Sequence, residues 1–385
     1  MFVNQAIAAE DGIQRLSPSP SGIPTATIAT GTLLWTSQIL PRADSGDTVA
    51  LQLTDCFQRL QALLAAKDSS SHQIVRLHLC CRSGSHLQTA LELLPGLFST
   101  SGSPAVSAVV SDLPGAAIVA LDAIALSTAT AEGVQVDDDI ALLPPGTRIF
   151  IAGQAESAEN PAEATRKTLQ SLQRTLEFLG RTNADIVQLK AFVQPMADAA
   201  KVQEEVARFY SGRTPPPLVL VEWKSSVTVP IEIELVAWGG PAAAGAPAIE
   251  YLTPPFMTSS PVYSRITRTS HRSLVFTGGL QYTARTPAGV TADAGTEESA
   301  AAEVTGIFSD LSALLQSAGS DFEHLAKATY YVSAEPVSLS LNKLRPRYYN
   351  PLRPPAASKA MVTAVGPGPV TLSMDMIAVP ASERR

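Results

Sequence analysis

The sequence predicts an α+β chain built from three tandem copies of one small domain, folded together as a trimer within a single polypeptide. Three observations carry this. Each copy opens on an apolar strand ending in a turn of small residues: Leu34-Trp35-Thr36-Ser37-Gln38, Ile149-Phe150-Ile151-Ala152-Gly153-Gln154 and Val275-Phe276-Thr277-Gly278-Gly279. Each closes on a strand with an acid three places before an alanine: Asp122 and Ala125, Glu234 and Ala237, Asp375 and Ala378. The separations from Ser37, Gly153 and Gly278 to those acids are 85, 81 and 97 residues. Such lengths belong to whole domains, not to solenoid units of about 20 to 50 residues.

The middle copy shows the element order most plainly. After the strand at 148–153, Leu169, Leu172, Leu176 and Leu179 fall on one face of a helix from Pro161 to Leu179, and Gly180 stops it. Ile186 to Val193 reads as a strand, Pro195 to Tyr210 as a second amphipathic helix, and Leu218–Trp223 and Val229–Trp238 as closing strands. The order is β–α–β–α–β–β with a hairpin at the start. The third copy repeats it, with helices near Ala300–Ala318 and Pro336–Tyr349 and a Thr/Ala/Gly/Pro insertion between Gln281 and Glu297, read as a longer first hairpin. The first copy keeps helices at Leu53–Ala66 and Leu87–Phe98 around a strand at His72–Cys81. Domains are therefore expected at 25–128, 141–239 and 251–382. Residues 1–24 are expected to lie loosely over the first, and solvated linkers are expected at 128–140 and 239–255. An antiparallel sheet with both helices on one face leaves the other uncovered, and three such faces can close on one another around a pseudo-threefold axis into a barrel-like centre. That arrangement needs no further copy of the chain.

Composition narrows the function classes. Hydrophobic content of 45% with 16% charged residues is that of a globular protein, and no apolar run is long enough to span a membrane. The start of the chain lacks the basic, then apolar, pattern of a signal peptide. Cys56, Cys80 and Cys81 are odd in number and lack metal-ligand spacing, which fits buried thiols in a reducing cytoplasm. A net charge of −7 argues against broad nucleic-acid binding, leaving a small molecule as the expected partner. The basic, aromatic stretch Lys343 to Arg353 reads first as a helix end followed by a surface loop. The five histidines show no metal-ligand spacing, and no nucleotide loop or Ser-His-Asp order stands out, so no cofactor is called for.

The runs Asp185-Ile-Val-Gln-Leu-Lys-Ala-Phe-Val and Ile231-Glu-Ile-Glu-Leu-Val-Ala, with Pro261-Val-Tyr-Ser, Thr277-Gly-Gly, Leu341-Asn342 and Ala356 to Val362, resemble the RidA/YjgF family. The resemblance covers about 25–128, 141–239 and 258–382 and is weakest in the first copy. It implies a chorismate-mutase-like α+β fold, usually a homotrimer with a small-molecule cleft at each subunit interface. It also implies hydrolysis of reactive enamines and imines, alongside an older ribonuclease label. The family's deaminases clamp the substrate carboxylate with an arginine in a Pro-Ala-Arg loop, where this chain has Val106, Leu218 and Ala357. A planar guanidinium grips a carboxylate through two parallel hydrogen bonds, so the loss weakens the deaminase reading in every cleft.

Other family positions survive unevenly. The glutamate that holds the catalytic water in the family matches Glu232 but Ala120 and Ser373 elsewhere. A tyrosine matches at Tyr263, and an asparagine at Asn342, with Gln203 and Leu91 in its place in the other copies. The turn glycine matches Gly153 and Gly278 but not Ser37. Glu232 and Glu234 alternate with isoleucines and so share one sheet face, where Glu232 reads either as a water-positioning base or as a structural ion-pair partner. Tyr263 reads as a donor to a bound carbonyl or as a packed edge residue. Lys359 or Arg353 is the candidate replacement cation, with Arg347 nearby. The working cleft is expected at the junction of copies two and three, with copy one serving as structure. A divergent imine or enamine hydrolase is the leading function, a ligand-binding or interaction module the alternative, and an endoribonuclease the third.

Overall fold

A computed structural model describes residues 12–18, 23–98, 102–224, 229–283 and 295–381. Eight elements recur three times. The first set is β1 (Ile13–Pro18), β2 (Pro24–Thr30), β3 (Thr32–Thr36), α1 (Val49–Ala65), β4 (Ile74–Cys81), α2 (Gly84–Leu93), β5 (Ala105–Val110) and β6 (Val119–Ser127). The second is β7 (Gln135–Asp137), β8 (Ile140–Leu143), β9 (Arg148–Gln154), α3 (Pro161–Phe178), β10 (Ile186–Val193), α4 (Ala199–Phe209), β11 (Leu218–Glu222) and β12 (Ile231–Trp238). The third is β13 (Ile249–Leu252), β14 (Ile266–Thr269), β15 (Ser273–Thr277), α5 (Glu297–Ser317), β16 (Leu325–Val332), α6 (Glu335–Leu344), β17 (Ala356–Met361) and β18 (Leu372–Ala378). Local chemistry sets the ends. Asn160 caps α3 by accepting from Glu163 N–H, with Pro161 in the first turn, and Gly180 follows it at φ +66°.

The strands form three six-stranded sheets, but the sheets do not follow the repeats. Their orders are β5-β4-β6-β3-β8-β7, β11-β10-β12-β9-β14-β13 and β1-β2-β15-β18-β16-β17. Each leading hairpin therefore joins the sheet of the preceding repeat, and the first hairpin joins the last sheet, closing a ring. Two of the three crossovers turn on Gly31 and Gly146, both at φ +135°, a conformation open to glycine alone. Arg148, fully buried at the start of β9, donates to His271 O at 2.8 Å and to Gly31 O at 3.4 Å, tying two crossover turns together.

These hairpins correct three expectations. Residues 13–18 are a paired strand of the third sheet, not loose chain over the first domain. The segments read as linkers at 128–140 and 239–255 contain β7 and β13, which lie at sheet edges. Edge pairing uses backbone groups and asks little of the side chains, so a polar composition hid it. The insertion between Gln281 and Glu297 lies mostly outside the described residues.

Each helix pair packs on the outer face of its sheet over a separate apolar core. The inner faces meet one another. One shared cluster joins Trp35, Val75, Phe150, Val187, Phe276 and Ala326, and a second joins Cys80, Ala120, Phe192, Val219, Tyr331 and Ala360. Between them runs a buried polar belt. The strands β4, β10 and β16 each carry an irregularity at the same place, next to Arg76, Gln188 and Lys327. In the belt Arg76 pairs with Asp375, Lys327 with Glu234 at 2.7 Å, and His78 Nδ1 with Asp122 at 2.8 Å. Two of these pairs cross between repeats, and burial holds the His78 ring below its ordinary pKa. The three repeat-marking acids of the sequence are thus the acids of this belt. The three cysteines are free and buried, and no helix among the described residues is long and apolar enough to cross a membrane.

Candidate functional site

Strand register decides which side chains share a cleft. Phe192, Cys80 and Tyr331 face Glu232, Ala120 and Ser373 across their sheets, so these three positions are structurally equivalent. At each junction the turn after the first apolar strand of one repeat meets the edge strand of the next. In the junction of repeats one and two, Gln38 N–H donates to Leu218 O at 3.0 Å, and Leu218 N–H to Ser37 Oγ at 3.2 Å. In the junction of repeats three and one, Gly279 N–H donates to Val106 O at 2.9 Å. Both are bridged by a backbone bond. At the junction of repeats two and three Gly153 N–H donates instead to the Ser358 hydroxyl, at 3.1 Å.

That third junction opens into a cavity of about 320 Å³ lined by Gly153, Gln154, Glu156, Glu232, Tyr263 and Arg265, with Ser171, Met257 and Thr258 completing the wall. Glu232 stands directly over Gly153, where an added Cβ would overlap its carboxylate. Ser358 accepts from Gly153 and hydrogen-bonds Glu232, so its hydroxyl proton is directed to the carboxylate. Burial, reinforced by the neighbouring charge of Glu234, pushes the Glu232 carboxyl up to about 7, against the opposing influence of Ser358, Arg265 and Lys359. Such a group exchanges a proton readily near neutrality. Tyr263 is half-buried and packs its ring against the central core and against Arg265, whose guanidinium carbon lies 5.0 Å from the ring centre.

Of the residues singled out from sequence, Gly153, Glu232 and Tyr263 come together in this cleft. The others do not. Gly278 lines the junction of repeats three and one, a cavity of about 320 Å³ whose other walls include Leu91, Val106, Ala108 and Gln281 and which has no ionisable residue in its lining. Gln203 is exposed on α4. Lys359 alternates with Ser358 along β17 and so points to the helix side, where it donates to Ser338 Oγ at 2.9 Å and Asn342 Oδ1 at 3.3 Å. It acts on Glu232 only through its charge. Arg353 is held by Glu323 at 3.0 Å and stacks over Tyr251, away from the cleft. The cation in the cleft is Arg265, which sequence reasoning missed. It immediately precedes β14, and only the exchange of hairpins brings that strand beside β9.

Residues 142–238 match the family model described as Endoribonuclease L-PSP. Among solved structures, the chain is similar to Rv2704 from Mycobacterium tuberculosis, a member of the YjgF/YER057c/UK114 family. The two are 25% identical over 25% of this chain and 82% of that one, with a TM-score of 0.23. The Rid-family protein YyfB from Yersinia pestis is also 25% identical, over 25% of this chain and 83% of that one, TM-score 0.23. RidA from the Antarctic bacterium Psychrobacter sp. PAMC 21119 is 17% identical over 29% and 90%, TM-score 0.22. No curated protein matches the chain.

Proposed function

We propose that this chain, whose residues 142–238 form a domain of the RidA/YjgF family, hydrolyses a small imine or enamine in the cleft between its second and third repeats. The observation that supports this reading is the meeting of Glu232, Tyr263 and Arg265 over the small-residue turn at Gly153. The cleft between repeats three and one keeps the volume without the charges. A carboxyl, a phenol and a guanidinium can serve hydrolysis of a C=N bond as base, hydrogen-bond donor and anion anchor. Ionised Glu232 takes a proton from water as the water oxygen bonds to the imine carbon, and the nitrogen takes up a proton from solvent. The protonated Glu232 then gives its proton to the nitrogen, the C–N bond breaks and ammonia leaves, and the hydroxyl of the adduct releases its proton to solvent as the carbonyl forms. Tyr263 donates to the oxygen of the adduct. An enamine enters the same sequence after protonation at carbon.

A second reading has an observation of its own. Val106, Leu218 and Ala357 are apolar where the family's deaminases carry arginine, which favours a binding module without turnover. Release of imines by an amino-acid oxidase, with keto acid and ammonia followed in the presence of this protein, separates the two. Acceleration over spontaneous hydrolysis that falls about 100-fold or more in Glu232→Gln, falls in Tyr263→Phe and persists in Val106→Ala supports the hydrolase. No acceleration for any of several amino-acid-derived imines leaves the binding module.

A further inference from the structure

We infer that Arg265 is the anion-binding residue of this cleft, so that its ligand is a small monocarboxylate held from the hairpin wall and not from the edge strand. The inference rests on reading the cleft as the reaction site. Arg265 O accepts from Ala152 N–H at 3.0 Å, which anchors the residue beside β9. In the other sheets the matching bonds run from Ser37 N–H to Asp139 O and from Gly278 N–H to Thr25 O, so an aspartate and a threonine stand at the place of Arg265. A cation at this place therefore occurs in one cleft of three, the same one that carries Glu232.

The guanidinium is pre-set. Its Nε donates to Thr258 O at 2.9 Å, and its plane is steadied by the Tyr263 ring. The described hydrogen bonds use only Nε, and no carboxylate forms an ion pair with Arg265 among the described residues, which leaves the paired Nη groups for a ligand. A planar fork of that kind matches a carboxylate bidentately. With Lys359 and Arg353 engaged elsewhere, no other cation lines the cavity. Glu156 and Glu232 both line it, and their charges oppose a phosphate dianion more strongly than a monoanion. A volume of about 320 Å³ suits a molecule of amino-acid size. The carboxylate would then lie against the hairpin wall, with the reacting carbon between it and Glu232.

The test is binding of 2-oxobutanoate and of its uncharged amide to the full chain, followed by ligand-observed NMR. The wild type is expected to favour the carboxylate by at least about 10-fold. Arg265→Met should bring the carboxylate down to the level of the amide while leaving the amide unchanged, and Arg265→Lys should recover part of the preference. Equal binding of the two probes by the wild type, or a preference untouched in folded Arg265→Met, overturns the inference. Imine hydrolysis without a carboxylate preference would likewise defeat the Arg265 assignment while leaving the reaction in place. A carboxylate preference without hydrolysis would uphold Arg265 and remove the reaction.

Discussion

The carboxylate of Glu232 lies against the Cα of Gly153, so close that no side chain fits between them. This contact places the carboxyl at the mouth of the cleft and explains why a small residue is needed at the end of β9. Gly153→Ala is expected to push Glu232 aside without unfolding the domain. A displacement of about 1 Å at a reacting group can cost on the order of 100-fold in rate. Turnover should drop by about that factor while the urea midpoint changes little. Unchanged turnover would mean that the position of Glu232 is immaterial.

The Glu232 carboxyl, raised to about 7, sets the sign of two pH effects. In the folded chain it holds its proton above the ordinary carboxylate range near 4.5. Folding therefore favours the protonated form, and stability is lost as pH rises from about 4.5 through 7. Relative to wild type, Glu232→Gln should gain in thermal midpoint between pH 5 and pH 8. If ionised Glu232 is the base, kcat/KM should rise with pH to a plateau above about 7 in the wild type. A flat profile in the wild type would exclude that role.

Glu234 bridges the belt and the cleft, since it pairs with buried Lys327 at 2.7 Å and its charge raises the Glu232 pKa. Glu234→Gln leaves the Lys327 ammonium buried without its partner, at a cost of about 3 to 5 kcal/mol in urea unfolding. Replacing both residues with apolar ones of similar size should recover much of that loss. In whatever fraction stays folded, the pH inflection of Glu232 should move to lower pH. A shift upward would contradict the assigned coupling.

Ring closure predicts an unusual response to truncation. The hairpin of β1 and β2 belongs to the first repeat in sequence but to the third sheet in space. Removing residues 1–31 should therefore strip β15 of its β2 partner and raise hydrogen exchange in residues 273–277 and 372–378, with less change in 74–81. The reverse pattern would rule out the exchange. Light scattering on the intact chain is expected to give the mass of one chain, because each sheet already has its six strands and each inner face is covered. A stable trimer of the whole chain would contradict this.

The sequence by itself read the edge strands β1, β7 and β13 as loose chain or linker, but it determined the triple repeat, the helices of each copy and the apolar faces of those in the second and third. Those features depend on periodicity and capping, which act over a few neighbouring positions. The resemblance to the RidA/YjgF family also marked Glu232, Gly153 and Tyr263 as site positions. The tertiary structure alone decided which sheet each hairpin joins. Strand alternation tells a face from its opposite but not one partner from another, and backbone hydrogen bonds are blind to side-chain identity. The turn at Gly31 would serve a closed hairpin as well as a crossover. That choice brought Arg265 beside Glu232, while the alternation of β17 turned Lys359 to the helices and ion pairing drew Arg353 to Glu323. The charge of the cleft was set by strand exchange, a long-range event that no local pattern in the chain encodes.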